Sequence, residues 1–294
     1  MERVSTTVGA LHVQRHGQGP PLVCWPSLFC DARTLRPLVD EFGRDHHLVL
    51  IDGPGHGGSG GVTHPFTLED CADAAMQVLD ATGIERAVWI GSAWGGHVGV
   101  AAALRHPDRL LGLVAMNAPM GAWTGRLRAM NATVYWTFRA LGRPRAMARK
   151  VAEAMIAPAQ RAERPALLDP LVDCMLASSR GPFLTAVRSA MLDRPSLLHR
   201  LAGVRVPTLF VTGAEDRLFP VAVARQQAAA IPGGRFEVVP GSSHLSLWEA
   251  PDLVLPKLRA FLAEVENRAP ASPLAPGSTG TARDRRTGDS PAAP

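Results

Sequence analysis

The sequence predicts an α/β fold built on a mostly parallel sheet. Short apolar runs bounded by Gly and Pro alternate with helix-like stretches along most of the chain, the order that strands joined by crossover helices require. Composition agrees, because 294 residues at 46% apolar and 19% charged can bury a large core and carry too little charge for a disordered or highly charged scaffold. That length fits one large domain or two small ones.

In chain order, Val4–Val8 and Leu11–Arg15 alternate as short strands, Gly17–Gly19 turns the chain, and Pro21–Trp25 is a buried run. Ala32–Phe42 has helical spacing and leads to a strand at His47–Asp52, after which DGPGHGGSG can only be a loop. Thr67 and Asp70 form a capping-box start for a helix that Gly83 stops. Arg86–Gly91 is the next strand, followed by an Ala-rich helix from Gly95 to Arg105 ended by Pro107, and then by a strand at Leu110–Asn117. From there strand signals vanish for about 85 residues, which implies a helical insertion of roughly residues 119–201. Strands return at Val206–Thr212 and Arg235–Pro240, each with a helical segment behind it, the last from about Asp252 to Asn267. Pro256 falls near the start of that helix, where it lies in the first turn or kinks it. The expected organisation is a core of residues 1–118 and 202–267, a helical cap of 119–201, and a tail of 268–294. The tail is Pro, Ala, Gly, Ser and Thr with hardly any large apolar group, so burial cannot offset its ordering entropy and it is expected to be disordered.

Net charge excludes more than it suggests. The formal +5 is 31 basic against 26 acidic residues, nearly all of the basic ones Arg, an Arg- and Ala-rich composition that calls for neither a nucleic-acid nor a membrane partner. Cys24, Cys30, Cys71 and Cys174 show no CxxC pairing or companion His at zinc spacing, so buried reduced thiols are expected, with no metal and no cofactor. The first residues lack a basic region followed by a long apolar stretch, and no 18-residue apolar run occurs, which predicts a soluble, cytoplasmic protein.

Chemistry concentrates at Gly91-Ser92-Ala93-Trp94-Gly95-Gly96, at a strand-to-helix junction with Gly two residues before and two after Ala93. Small flanks of this kind let one side chain stand above the sheet in a strained backbone conformation, as in a nucleophile elbow. With DGPGHGGS after the fourth strand, GAEDRLFP after a later one and GSSHLSLWEAP before the last helix, all in order, the chain from Val4 to about Asn267 resembles the α/β-hydrolase superfamily. The resemblance implies an eight-stranded, mostly parallel sheet flanked by helices, with a helical cap over the site. It places Asp216 at the triad acid and His244 at the general base. A His held in one tautomer by a buried carboxylate is an acid–base catalyst whose imidazolium form is stabilised as it appears. The competing roles are a helix cap for Asp216 and a turn residue for His244; His56 and His97 are expected to be structural.

The departure is central, because the elbow position that should carry Ser, Asp or Cys is Ala93. A methyl group forms no covalent intermediate. Adjacent Ser92 should point the opposite way from His244, since successive side chains at a strand end alternate. The usual His-Gly of the oxyanion loop reads Pro26-Ser27. Even so, the backbone amides of Leu28 and Trp94 can serve as an oxyanion hole, a task that needs N–H groups and no particular side chain. Trp94 after the elbow also looks like the haloalkane dehalogenase and epoxide hydrolase branches. A single Tyr, at 135, and Pro26-Ser27-Leu28 without an Asn argue against both.

The insertion carries Met120, Trp123, Met130, Tyr135, Trp136, Phe138, Met147, Met155 and Phe183, most expected as its own core and a minority as the lining of an apolar pocket. Nine basic residues between Gly125 and Arg164 face only Glu153 and Glu163, a solvated face or a means of recruiting an anionic or carrier-bound substrate. Three readings follow. The chain is an enzyme acting on a small, largely apolar carbonyl or ester-type substrate by His/Asp general-base catalysis without an acyl-enzyme, by hydrolysis, elimination or cyclisation. Alternatively it is a non-catalytic ligand-binding pseudo-hydrolase, or a serine hydrolase whose nucleophile has been replaced by Ala93.

Overall fold

The computed structural model describes residues 2–62 and 64–268. The expectation of disorder for the tail falls, from residue 269 onward, outside the described residues. Eight strands form one sheet in the order β1-β2-β4-β3-β5-β6-β7-β8. They are β1 (Glu2–Thr6), β2 (Gly9–His16), β3 (Pro21–Trp25), β4 (His47–Ile51), β5 (Ala87–Ser92), β6 (Leu110–Met116), β7 (Thr208–Gly213) and β8 (Arg235–Val239). The β1–β2 and β2–β4 pairs are antiparallel; every pairing from β4 through β3, β5, β6 and β7 to β8 is parallel.

Alternation within each strand sorts its side chains onto two covered faces. Val23, Trp25, Val49, Ile51, Trp89, Leu113, Ala115 and Phe210 share one core with helices α2 (Leu68–Ala81) and α3 (Trp94–Arg105). Leu22, Cys24, Leu48, Leu50, Val88, Ile90, Val114, Met116, Leu209 and Val211 point the other way, onto α1 (Arg36–Phe42) and the C-terminal helix Pro251–Arg268. Each such fully buried aliphatic side chain stabilises the fold by roughly 1.5–3 kcal/mol, so the two-sided core fixes the register of the central strands.

Local chemistry explains the helix ends. The expected helix at Ala32–Phe42 is two pieces, a 3₁₀ turn at Ala32–Leu35 capped by Asp31 and then α1; Pro37, with no N–H, sits in the first turn of the second. The Thr67–Asp70 capping box closes as expected at the start of α2. The C-terminal helix starts at Pro251 and Pro256 lies inside it, in its second turn, which rules out the first-turn alternative.

Between β6 and β7 the regular elements among the described residues are helices joined by loops: α4 (Gly125–Leu141), α5 (Arg145–Met155), α6 (Pro158–Glu163), α7 (Leu168–Ala177) and α8 (Arg180–Val187). A wide π turn at Arg188–Leu192 extends α8. Three helices complete the order: α9 (Val221–Ala229), the short α10 (Ser246–Glu249), and α11 (Pro251–Arg268). No described helix is long and apolar enough to cross a membrane.

Candidate active site

Among the described residues only three non-glycine positions have positive φ: Phe29 at 71°, Ala93 at 45° and Asn117 at 50°. They follow β3, β5 and β6, so strain collects at one end of adjacent strands, where such outliers, at about 1–3 kcal/mol each, mark function. At Ala93 (φ 45°, ψ −104°) the chain reverses from β5 into α3. The flanking glycines are sterically required. A Cβ on Gly91 would come within 2.2 Å of Gly95 C, and one on Gly95 within 2.1 Å of Trp25 O.

Asp216, in the loop after β7, and His244, after β8, meet here. His244 Nδ1 lies 2.9 Å from Asp216 Oδ2, with both residues buried. The amides of Leu218 and Phe219 donate to Asp216 Oδ1, each at 2.9 Å, and Asn117 Nδ2 donates to Oδ2 at 3.1 Å. Asn117 also donates to Ser243 O at 2.8 Å and accepts from Ser246 Oγ at 2.5 Å, tying the acid to the histidine loop. Because the carboxylate only accepts, Nδ1 of His244 carries the proton and Nε2 is left as a base. Burial pushes the His244 pKa down, but the charge of Asp216, its hydrogen bond and the charge of Glu249 outweigh burial and hold it above the ordinary value.

Glu249 anchors the same loop. Its buried carboxylate accepts from the amides of Ser243 at 2.9 Å and Leu245 at 3.1 Å, and from Ala157 of the helical insertion at 2.7 Å. The His244 amide in turn donates to Met155 O at 3.0 Å. Burial raises the Glu249 pKa, opposed by those three amides and by His244.

The DGPGHGGS motif is scaffold. Asp52 accepts from the amides of Ala32 at 2.7 Å and Gly58 at 2.9 Å and pairs with His12 at 2.8 Å. His56 donates from Nδ1 to Pro54 O at 3.1 Å and accepts the Phe29 amide at Nε2, at 3.2 Å. Burial drives its pKa down to about 4, so it is a neutral strut holding the Ser27-Leu28-Phe29 turn.

A cavity of about 260 Å³ lies between these strand ends and the insertion. Leu28, Ala93, Trp94 and His244 line its floor, and Trp123, Met130, Met147, Met155 and Met191 of the insertion its walls. Trp94 opens α3, so its N–H is one of the helix's unsatisfied amides. Ser92 is buried and does not line the cavity. Phe138 and Phe183 are core of the insertion, whereas Trp136 is 58% exposed. His97, expected to be purely structural, reaches the cavity wall beside Arg194. Several basic residues of the insertion are already engaged: Arg145 with Asp173, Arg149 with Asp169, and Arg143 with the carbonyls of Met175 and Ser178. The four cysteines are free and buried, and no group of three or more His, Cys, Asp or Glu among the described residues is placed to hold a metal ion.

Sequence reasoning missed Asn117, Glu249 and Arg194. Asn117 had a usable signal, an Asn ending a strand, since Asn tolerates the left-handed region. Glu249 lay unused inside GSSHLSLWEAP. Arg194 carried no periodic or motif signal.

Residues 20–251 match the family model described as alpha/beta hydrolase fold. The chain is 32% identical over 232 residues to a pimeloyl-[acyl-carrier protein] methyl ester esterase of Edwardsiella ictaluri, covering 76% of this chain and 85% of that protein. It is 27% identical over 255 residues to a 2-hydroxy-6-oxononadienedioate/2-hydroxy-6-oxononatrienedioate hydrolase of Paraburkholderia phymatum, covering 85% of each. The crystal structure of the enol-lactonase from Burkholderia xenovorans LB400 superposes with a TM-score of 0.83 at 24% identity, over 89% of this chain and 100% of that one.

Proposed function

The chain belongs to the alpha/beta hydrolase family, and we propose that it is an enzyme in which His244, oriented by Asp216, works as a general base with no covalent enzyme intermediate. The observation that carries this is the buried 2.9 Å contact from His244 Nδ1 to Asp216 Oδ2, on the floor of a cavity whose elbow residue is a methyl. A pocket that only binds needs no imidazole paired to a four-times hydrogen-bonded carboxylate. The relatives, a methyl ester esterase and a hydrolase by name, support hydrolysis of a small, largely apolar ester or carbonyl substrate.

In this reading water occupies the space above Ala93. His244 Nε2 takes a proton from it as the oxygen attacks the substrate carbonyl, and Asp216 and Glu249 stabilise the imidazolium formed. The amides of Leu28 and Trp94 donate to the developing oxyanion. Collapse breaks the bond to the leaving group, which receives the proton back from His244 Nε2. Residues 119–201 act as the cap that sizes the substrate, and residues 1–118 with 202–267 as the core; no cofactor takes part.

A second reading has one observation in its favour. Ala93 keeps the strained conformation of an elbow, φ 45°, without a nucleophile to justify it, as in a serine hydrolase whose Ser has been replaced. Hydrolysis of aryl esters of increasing chain length, compared between the wild type, His244→Ala and Ala93→Ser, separates the readings. Under the proposal, His244→Ala loses turnover while ligand binding stays nearly unchanged. Wild-type protein inert toward every ester, with Ala93→Ser strongly active, overturns it in favour of the replaced nucleophile; inertness of both favours a binding module.

A further inference from the structure

Arg194 is a buried cation in the wall of an apolar cavity. It is 4% exposed and follows the π turn that carries Ala190 and Met191 into the same wall. One Nη1–H donates to Pro119 O at 2.7 Å and one Nη2–H to Gly121 O at 2.8 Å, while Nε is buried without a partner among the described residues. The guanidinium stands 5.4 Å from the Trp123 ring. Among the described residues no carboxylate offsets its charge: burial lowers its pKa to about 10, and the cavity lining contains Lys150, Arg194 and two histidines but no Asp or Glu.

Its neighbour sharpens the imbalance. His97 Nε2 lies 2.6 Å from Pro119 O. It also lies 2.7 Å from Arg194 Nη1, so the ring nitrogen and the guanidinium crowd the same carbonyl oxygen. Burial and the Arg194 charge hold the His97 pKa well below the ordinary value, so His97 supplies no positive charge and no negative one. An uncompensated buried ion is strongly disfavoured, and two backbone carbonyls offset only part of that penalty.

We propose that Arg194 forms an anion subsite and that the ligand of this cavity is an apolar chain ending in a carboxylate. This rests on the cavity being the substrate site of the function proposed above and deepens it by naming the substrate's charge. Lys150 also lines the cavity but is exposed, so water and salt screen its charge and the buried Arg194 sets the preference. The same guanidinium ties Pro119 and Gly121 to the far end of the insertion, so a role confined to structure is the alternative that a test must separate.

Hexanoate and its neutral isostere hexanamide are suitable probes, titrated calorimetrically into the full chain at low salt. The expected result is hexanoate binding at least about tenfold tighter than hexanamide, as for a charge-assisted hydrogen bond. Arg194→Met erases the preference and leaves the hexanamide Kd in place, and Arg194→Lys retains part of it. Should Arg194→Met fail to fold, the Arg194 Nε–H resonance of ¹⁵N-arginine-labelled wild type decides, shifting with hexanoate and not with hexanamide. Equal affinities for acid and amide, a preference surviving in Arg194→Met, or an unmoved Nε–H signal overturns the subsite. None of these measurements needs turnover, so failure of general-base catalysis at His244 leaves them readable, and their failure leaves that catalysis untouched.

Discussion

Replacing Asp216 by Asn changes one atom and reverses the imidazole it faces. Asp216 Oδ1 accepts two backbone amides, from Leu218 and Phe219, each at 2.9 Å, so the carbonyl oxygen of the new amide must stay on that side. Its NH₂ then occupies the Oδ2 position, facing His244 Nδ1 at 2.9 Å and Asn117 Nδ2 at 3.1 Å, two groups that now donate. His244 can answer only by moving its proton to Nε2, which removes the lone pair aimed at the cavity. The Asn117 bond to a charged acceptor, worth roughly 1.5–3 kcal/mol, is lost outright and the His244 bond survives only between neutral groups, so unfolding free energy should fall by on the order of 3 kcal/mol. Ester turnover should fall by about 10⁴-fold, the order seen when a triad carboxylate is neutralised and the wrong tautomer results. Long-range ¹H–¹⁵N correlation spectra of histidine-labelled protein report the tautomer without any substrate. Wild type should show Nδ1–H at His244 and the variant Nε2–H. An unchanged tautomer, or a His244 pKa that does not fall when the carboxylate charge is removed, would refute the coupling.

Two further outcomes follow from the same geometry. Gly95→Ala drives a methyl to within 2.1 Å of Trp25 O, a backbone atom that cannot step aside, so it should lower stability by at least about 1–3 kcal/mol, read by chemical denaturation; a Tm equal to wild type excludes that contact. The pH profile has a definite sign. A base must be unprotonated, and the His244 pKa is raised above its reference of 6.5, so kcat/KM should rise with pH through an apparent pKa above 6.5. The same shift makes the His244–Asp216 pair stabilising below 6.5, a contribution lost as pH rises through the raised pKa; a rate falling over that window contradicts the assignment.

The strands were legible because Val, Leu and Ile runs such as Leu22–Cys24 and Val88–Ile90 are apolar on both faces, which in a chain alternating with helices points to a parallel sheet. The elbow was legible because only Gly at 91 and 95 permits the close approach that Ala93 needs. Asp216 and His244 could be placed only through their order among recognisable loops; nothing within EDRLFP or SSHLS shows that the two side chains meet 28 positions apart. Asn117, Glu249 and Arg194 escaped for a related reason. Each works by reaching groups distant in sequence, such as Ser246 from Asn117, Ala157 from Glu249 and Pro119 from Arg194, and no local pattern encodes such a contact. Of the two places open to Pro256, the first turn or the interior of the last helix, the start at Pro251 selects the interior; Pro251 is equally at home in a loop, so composition alone does not fix that start.

Intact-protein mass spectrometry during hydrolysis of a slow aryl ester, quenched within the first turnovers, addresses the absence of a covalent step most directly. The unmodified mass throughout, with acid product still accumulating, is the result that base catalysis from His244 above a methyl predicts. A transient gain of one acyl mass, on Ser92 or on any other side chain, would contradict it.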